Sequence, residues 1–150
     1  MSVPSNEVWM VCMVKWTTFP SSTTNWVCID TASAGAFLTS TQINASGTVN
    51  CQHNGVQYAT LGANLSAATL YYCKMHYKLG SGANGVSEIE FSTTTTFAGS
   101  GALYATKTNG AGTAQAASAE LVDFVGTSVC QFDHVRVSAT DLGNSFTSWP

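Results

Sequence analysis

The stretch LYYCKMHYKL, residues 70 to 79, limits what this chain can fold into more than any other. In an extended conformation successive side chains point to opposite faces. Tyr71, Cys73, Met75, Tyr77 and Leu79 then share one face, and Tyr72, Lys74, His76 and Lys78 share the other. A helix would mix the two sets, because its period is 3.6. The same alternation recurs along the chain in short runs divided by Gly, Asn and Ser, the pattern of an antiparallel sandwich or barrel. No helix of normal length is visible; the one weak candidate is GTAQAASAE, Gly112 to Glu120. An all-β, two-sheet antiparallel sandwich, occupying residues 1–150 as a single domain, is the fold expected.

The strands follow from the same rule. VWMVCMVKW, Val8 to Trp16, is apolar on both faces, which predicts a central strand or one covered by a neighbouring chain. Further strands are expected at Trp26–Asp30, Ala36–Ile43 and on both sides of His53-Asn54-Gly55, where Asn-Gly favours the positive φ angles of a tight hairpin. ALYAT, ELVDFV and VCQFDHVRVS read as later strands, and TTTT, Thr93 to Thr96, as a strand continuation. The tail is expected to be irregular chain packed by Phe146 and Trp149. Trp9, Trp16 and Trp26 fall inside apolar runs and are expected in the core.

Charged residues make up 9% of the chain, against about 25% in ordinary soluble domains. Ser, Thr, Asn, Gly and Ala take their place, which suits a neutral, hydroxyl-covered surface. A net charge of −3 with five basic residues speaks against nucleic-acid binding, which needs clustered Lys and Arg. The longest apolar run is too short to span a bilayer, and the N-terminus has no signal-peptide pattern, so a chain made soluble, or a mature fragment with a start Met added, is expected, with no membrane association. Five cysteines cannot all pair, and none has zinc spacing; they are read as small buried hydrophobes.

Two acids, Glu88 and Glu90, stand one residue apart in GVSEIEFS and share a strand face. Two carboxylates on one face are the equipment of a glycosidase. They also suit cross-strand charge pairs with the preceding strand, each worth about 0.2–1 kcal/mol. A register with Tyr77 opposite Ile89 sets Lys78 against Glu88 and His76 against Glu90; a slip of two sets Lys74 against Glu90 and His76 against Glu88. Either way neighbouring cations hold both acids ionised, whereas a retaining glycosidase keeps one carboxyl protonated. The stripe Tyr72, His76, Glu88 and Glu90 mixes an aromatic ring with polar groups and is the candidate glycan-binding site. No catalytic residues, metal or cofactor are assigned: the three histidines are scattered, Asp133 and His134 point to opposite faces, and there is no GxSxG elbow or phosphate loop.

The order of parts resembles the concanavalin A-like lectin/glucanase superfamily in its LamG-like jelly-roll form. EVWMVCMVKWTTFP, GTVNCQHNGVQYAT, LSAATLYYCKMHYKLGSGANGVSEIEFS and the closing FDHVRVS carry the resemblance, over about residues 7 to 138. It implies two antiparallel sheets and membership among lectins, adhesion modules, glucanases and polysaccharide lyases. The glucanase branch carries acid-x-acid-x-acid on one strand. Glu88 and Glu90 match the first two positions, but Ser92 stands third. Similar domains also occur as small phage proteins that look like virion surface components.

These considerations lead to the expectation of a non-enzymatic surface or assembly protein, such as a phage virion decoration or attachment component. It would be made in the host cytoplasm and sit on the virion surface, or else be extracellular. Its partners would be copies of itself or shell subunits, met through the outward apolar residues Trp9, Val11 and Met13. A carbohydrate-binding module is the alternative, and a glycan-cleaving enzyme is a third.

Overall fold

The computed structural model describes residues 2–31, 37–80, 84–110, 114–121 and 128–146. They form eleven strands: β1 (Ser2–Ser5), β2 (Glu7–Thr18), β3 (Thr24–Asp30), β4 (Phe37–Ile43), β5 (Val49–His53), β6 (Val56–Thr60), β7 (Leu70–Lys78), β8 (Gly85–Ser92), β9 (Tyr104–Gly110), β10 (Ala116–Leu121) and β11 (Val129–Ser138). One sheet has six strands in the order β1-β10-β3-β4-β5-β6, the other five in the order β11-β2-β7-β8-β9. Every pairing is antiparallel.

The period-two pattern puts the core between the sheets. Val8, Met10, Cys12, Val14 and Trp16 of β2 meet Tyr71, Cys73, Met75 and Tyr77 of β7 and Ile89 and Phe91 of β8, all buried. From the other sheet come Val27, Ile29, Ile43, Val49 and Cys51. Trp26 enters at a bulge between Asn25 and Val27, with its ring centroid 4.4 Å from Trp16 and 5.5 Å from both Phe91 and Phe132. Aromatic pairs in this range add about 0.5–1.5 kcal/mol beyond area burial.

Several expectations hold. β2 is central, between β11 and β7. Asn54 (φ 50°) and Gly55 (φ 73°) make the predicted hairpin turn between β5 and β6. Others are corrected. Gly112–Glu120 contains no helix among its described residues; Ala116–Leu121 is strand β10, inserted between β1 and β3, where sheet pairing outweighs the alanines' helical preference. Thr93–Thr95 bends away from β8, and only Thr96 makes a bridge, to Ser145. The run ALYAT starts its strand later, at Tyr104. Trp149, Ala36 and most of ELVDFV lie outside the described residues. The β7–β8 register is the two-residue slip: Met75 faces Ile89, His76 faces Glu88 and Lys74 faces Glu90. Both registers bury the same side chains, so inside-outside patterning alone could not choose.

Candidate functional site

The outer face of the five-stranded sheet carries rows of side chains read directly from the pairing. One row is Ser138–Trp9–His76–Glu88–Thr106, from β11 to β9. The next is Arg136–Val11–Lys74–Glu90–Tyr104. Beyond it lie Asp133–Met13–Tyr72–Ser92 and then Gln131–Lys15–Leu70, while Glu7 and Lys78 pair at the opposite end. Four of the five basic residues, Lys15, Lys74, Lys78 and Arg136, stand on this one face. The outward rows across β3 to β6, Asn25–Gln42–Asn50–Thr60 and Cys28–Ser40–Gln52–Gln57, hold no charge.

Trp9 and His76 are cross-strand neighbours, and their rings stack at 4.5 Å with planes 6° apart. Carboxylates hold the imidazole from both sides. Its Nε2 lies 3.0 Å from Glu7 Oε1, and its Nδ1 lies 3.5 Å from Glu88 Oε2. Lys78 Nζ is 3.6 Å from the other Glu7 oxygen. The hydrogen bond with His76 holds the Glu88 carboxyl below its ordinary range against an opposing effect of burial, with charge attraction to His76 and Lys74 adding to it. Burial raises the Tyr104 phenol. The result is a fixed ring pair between two acceptor groups, with every member half-buried.

The neighbouring rows are covered. Lys74 Nζ donates to Gly143 O at 3.2 Å and Asn144 Oδ1 at 3.0 Å, and pairs with Asp141 at 3.6 Å. Phe146 packs against Tyr72 with ring centroids 4.8 Å apart, and its amide donates to Thr95 O. Residues 141–146 thus run across the face as a strap. Glu90 is buried, its Oε1 accepting from the Ala98 amide at 2.7 Å and its Oε2 from the Gly99 amide at 3.0 Å.

The four glycan-binding candidates therefore share a face without forming one site. His76 and Glu88 stand together on the open part. Glu90 pins a turn, and Tyr72 lies under the strap. Glu7, which completes the open cluster, was not legible beforehand, since only knowing that β2 pairs with β7 brings it to His76. The interface candidates change too. Val11 is fully buried, so the continuous apolar stripe Trp9, Val11 and Met13 is not there to meet another subunit. Trp9 departs from the expected core position and stands on the outer face. Asp133 and His134, expected on opposite faces, pair at 3.0 Å because a bulge puts His134 at φ 50°.

The interior holds a second polar cluster that the alternation did not flag. Thr39 of β4 donates to Ser87 Oγ of β8, and Ser87 Oγ stands 2.5 Å from His53 Nδ1 of β5. Both sheets are thereby joined through buried hydroxyls. Ser87 Oγ accepts from Thr39 and shares a hydrogen bond with His53 Nδ1 whose direction follows the imidazole tautomer. Tyr58 Oη donates to Ser87 O at 3.4 Å, and burial raises its phenol strongly. Ser87 has no exposed surface, so this pair is a structural tie and not an accessible nucleophile.

No protein-family model matches the chain, and no curated protein does. Solved structures do. A glucuronan lyase from the fungus Trichoderma reesei aligns at TM-score 0.59 and 16% identity, over 90% of this chain and 69% of the lyase. A mutant Trypanosoma rangeli sialidase with trans-sialidase activity aligns at 0.61 and 13%, over 95% of this chain but only 22% of that one. A heptameric pentraxin from Limulus polyphemus aligns at 0.57 and 15%, over 99% and 70%. The fold shared with these structures is an antiparallel jelly-roll β-sandwich. At these identities the likeness is one of fold. The expectation of a non-enzymatic protein is corrected: a lyase and a sialidase contain this sandwich, so the architecture gives no ground for setting catalysis aside.

Proposed function

We propose that the chain recognises carbohydrate on the open part of the five-stranded sheet, with Trp9 as the platform, braced by His76 and its two carboxylate partners. The single observation that carries this reading is the Trp9–His76 stack held between two carboxylates. An aromatic ring with fixed polar groups at its edge meets both needs of a sugar, an apolar C–H face and an equatorial rim of hydroxyls. The ring is locked before binding, so little side-chain entropy is lost on contact. The lyase and sialidase among the similar folds agree with a carbohydrate role without specifying a ligand.

A glycan panel tests it. Wild-type protein should bind at least one glycan class, and Trp9→Ala should lower that affinity by about tenfold or more while far-UV circular dichroism stays unchanged. Absence of binding across the panel, or binding indifferent to Trp9→Ala, would sink the site. The same panel is assayed for cleavage products with Glu88→Gln alongside, so that turnover and binding are measured together.

Assembly, including a place in a virion, is a second reading. Val129 and Val135 favour it, exposed by 52% and 44% on the edge strand β11. Light scattering of the purified protein tests it, and a strict monomer counts against it.

A further inference from the structure

The two sides of the Trp9 ring differ. His76 covers one side; the other turns toward β11, where the directly paired residue is the small Ser138 and the diagonal neighbour is Arg136. Diagonal cross-strand positions lie about 7–8 Å apart, within reach of a long side chain. Arg136 is half-buried, its Nη1 is enclosed with no hydrogen-bond partner, and it makes no ion pair among the described residues. Enclosed, unsatisfied donors are rare, and strain, an ordered water, an ion or a ligand can account for one.

Most other charges on this face are committed; Lys15, two rows along the sheet from Arg136, makes no ion pair among the described residues. Lys74 is held by Gly143, Asn144 and Asp141. Lys78 faces Glu7, and Asp133 is taken by His134. Glu7 and Glu88 flank His76, on the side of the indole away from β11. The free side of the ring thus looks toward an uncommitted guanidinium, with the acids screened behind the imidazole.

Resting on the carbohydrate reading above, we propose that Arg136 selects acidic sugars. The pyranose stacks on the free face of Trp9, and its carboxylate takes the guanidinium fork in a bidentate pair. Arg suits this task through its planar donors and its permanent charge. Arg136 is here a specificity residue, and the proposal holds whether or not the sugar is cleaved.

The test is calorimetric titration with a hexuronate oligosaccharide and a neutral hexose oligosaccharide of the same linkage. Wild type should prefer the acidic one, and the preference should shrink at high salt. Arg136→Gln should cost about tenfold to a hundredfold for the acidic ligand and leave the neutral one unchanged. Arg136→Lys should fall between, since it keeps the charge and loses the fork. Trp9→Ala should weaken both ligands. Equal affinity for the two in wild type, or an acidic preference that survives in Arg136→Gln, overturns the selection by Arg136 and leaves the sugar platform standing. Loss of both ligands in Arg136→Gln, in a variant with unchanged melting temperature, also overturns it, because a selecting residue spares the neutral sugar. Binding of neither by wild type removes the proposal together with the platform.

Discussion

Glu88 and Glu90 have the same chemistry and the same strand face, yet they end in different surroundings. Glu90 is locked to two backbone amides, while Glu88 stays half-open beside His76. Because its folded pKa is lowered from 4.5, Glu88 contributes stability that is present above that value and is lost as pH falls through the lowered one. Urea midpoints measured from about pH 6 to about pH 3 should therefore fall more steeply for wild type than for Glu88→Gln, by up to about 1 kcal/mol at the acid end. Coincident curves would mean that the pair with His76 adds nothing. Trp26 offers a second residue-scale contrast. Its Nε1 is buried with no hydrogen-bond partner among the described residues. Trp26→Phe keeps the ring contacts and removes the unsatisfied donor, so it should shift stability by less than about 1 kcal/mol. Trp16→Ala, by comparison, should cost about 3–5 kcal/mol in the same denaturation assay. At this scale the sequence was legible for burial and blind to partners. Alternation along β7 placed Tyr77 inside and His76 outside, but it could not say that His76 would meet Glu7, sixty-nine positions away.

Among the elements, β9 and β5 come together where a side chain would not fit. A Cβ on Gly110 would lie 2.3 Å from His53 Nε2. Gly110→Ala must push the imidazole and disturb the Thr39–Ser87–His53 tie between the sheets, a strain of about 1–3 kcal/mol. Gly62→Ala, whose Cβ would meet nothing nearer than 3.5 Å, should be nearly silent in the same thermal melt. Equal melting temperatures for the two variants would contradict the close approach. Strand existence was readable from the period-two runs, and β2, β3, β4, β7, β8 and β11 appear where the alternation put them. β10 escaped because AASAEL is alanine-rich and its partners, β1 and β3, are far off in sequence. The β7–β8 register escaped because a slip of two conserves every face.

Taken whole, the molecule is a sandwich whose thiols are nearly all inside. Cys12, Cys28, Cys51 and Cys73 are buried and Cys130 is partly open, all five as thiols outside any disulfide. Burial pushes the Cys51 thiol up to about 12 and raises Cys73 further from reactivity. A colorimetric thiol reagent should label at most Cys130 in native protein and all five after denaturation, and reductant should leave the melting temperature unchanged. Rapid labelling of several thiols in the native state would mean that the core opens readily. The segregation of charge has a further consequence. Four of the five Lys and Arg side chains stand on the outer face of one sheet, and the outer rows across β3 to β6 of the other carry none. Such a body carries its own compass: next to an ionic polymer or a coated wall it settles one way up.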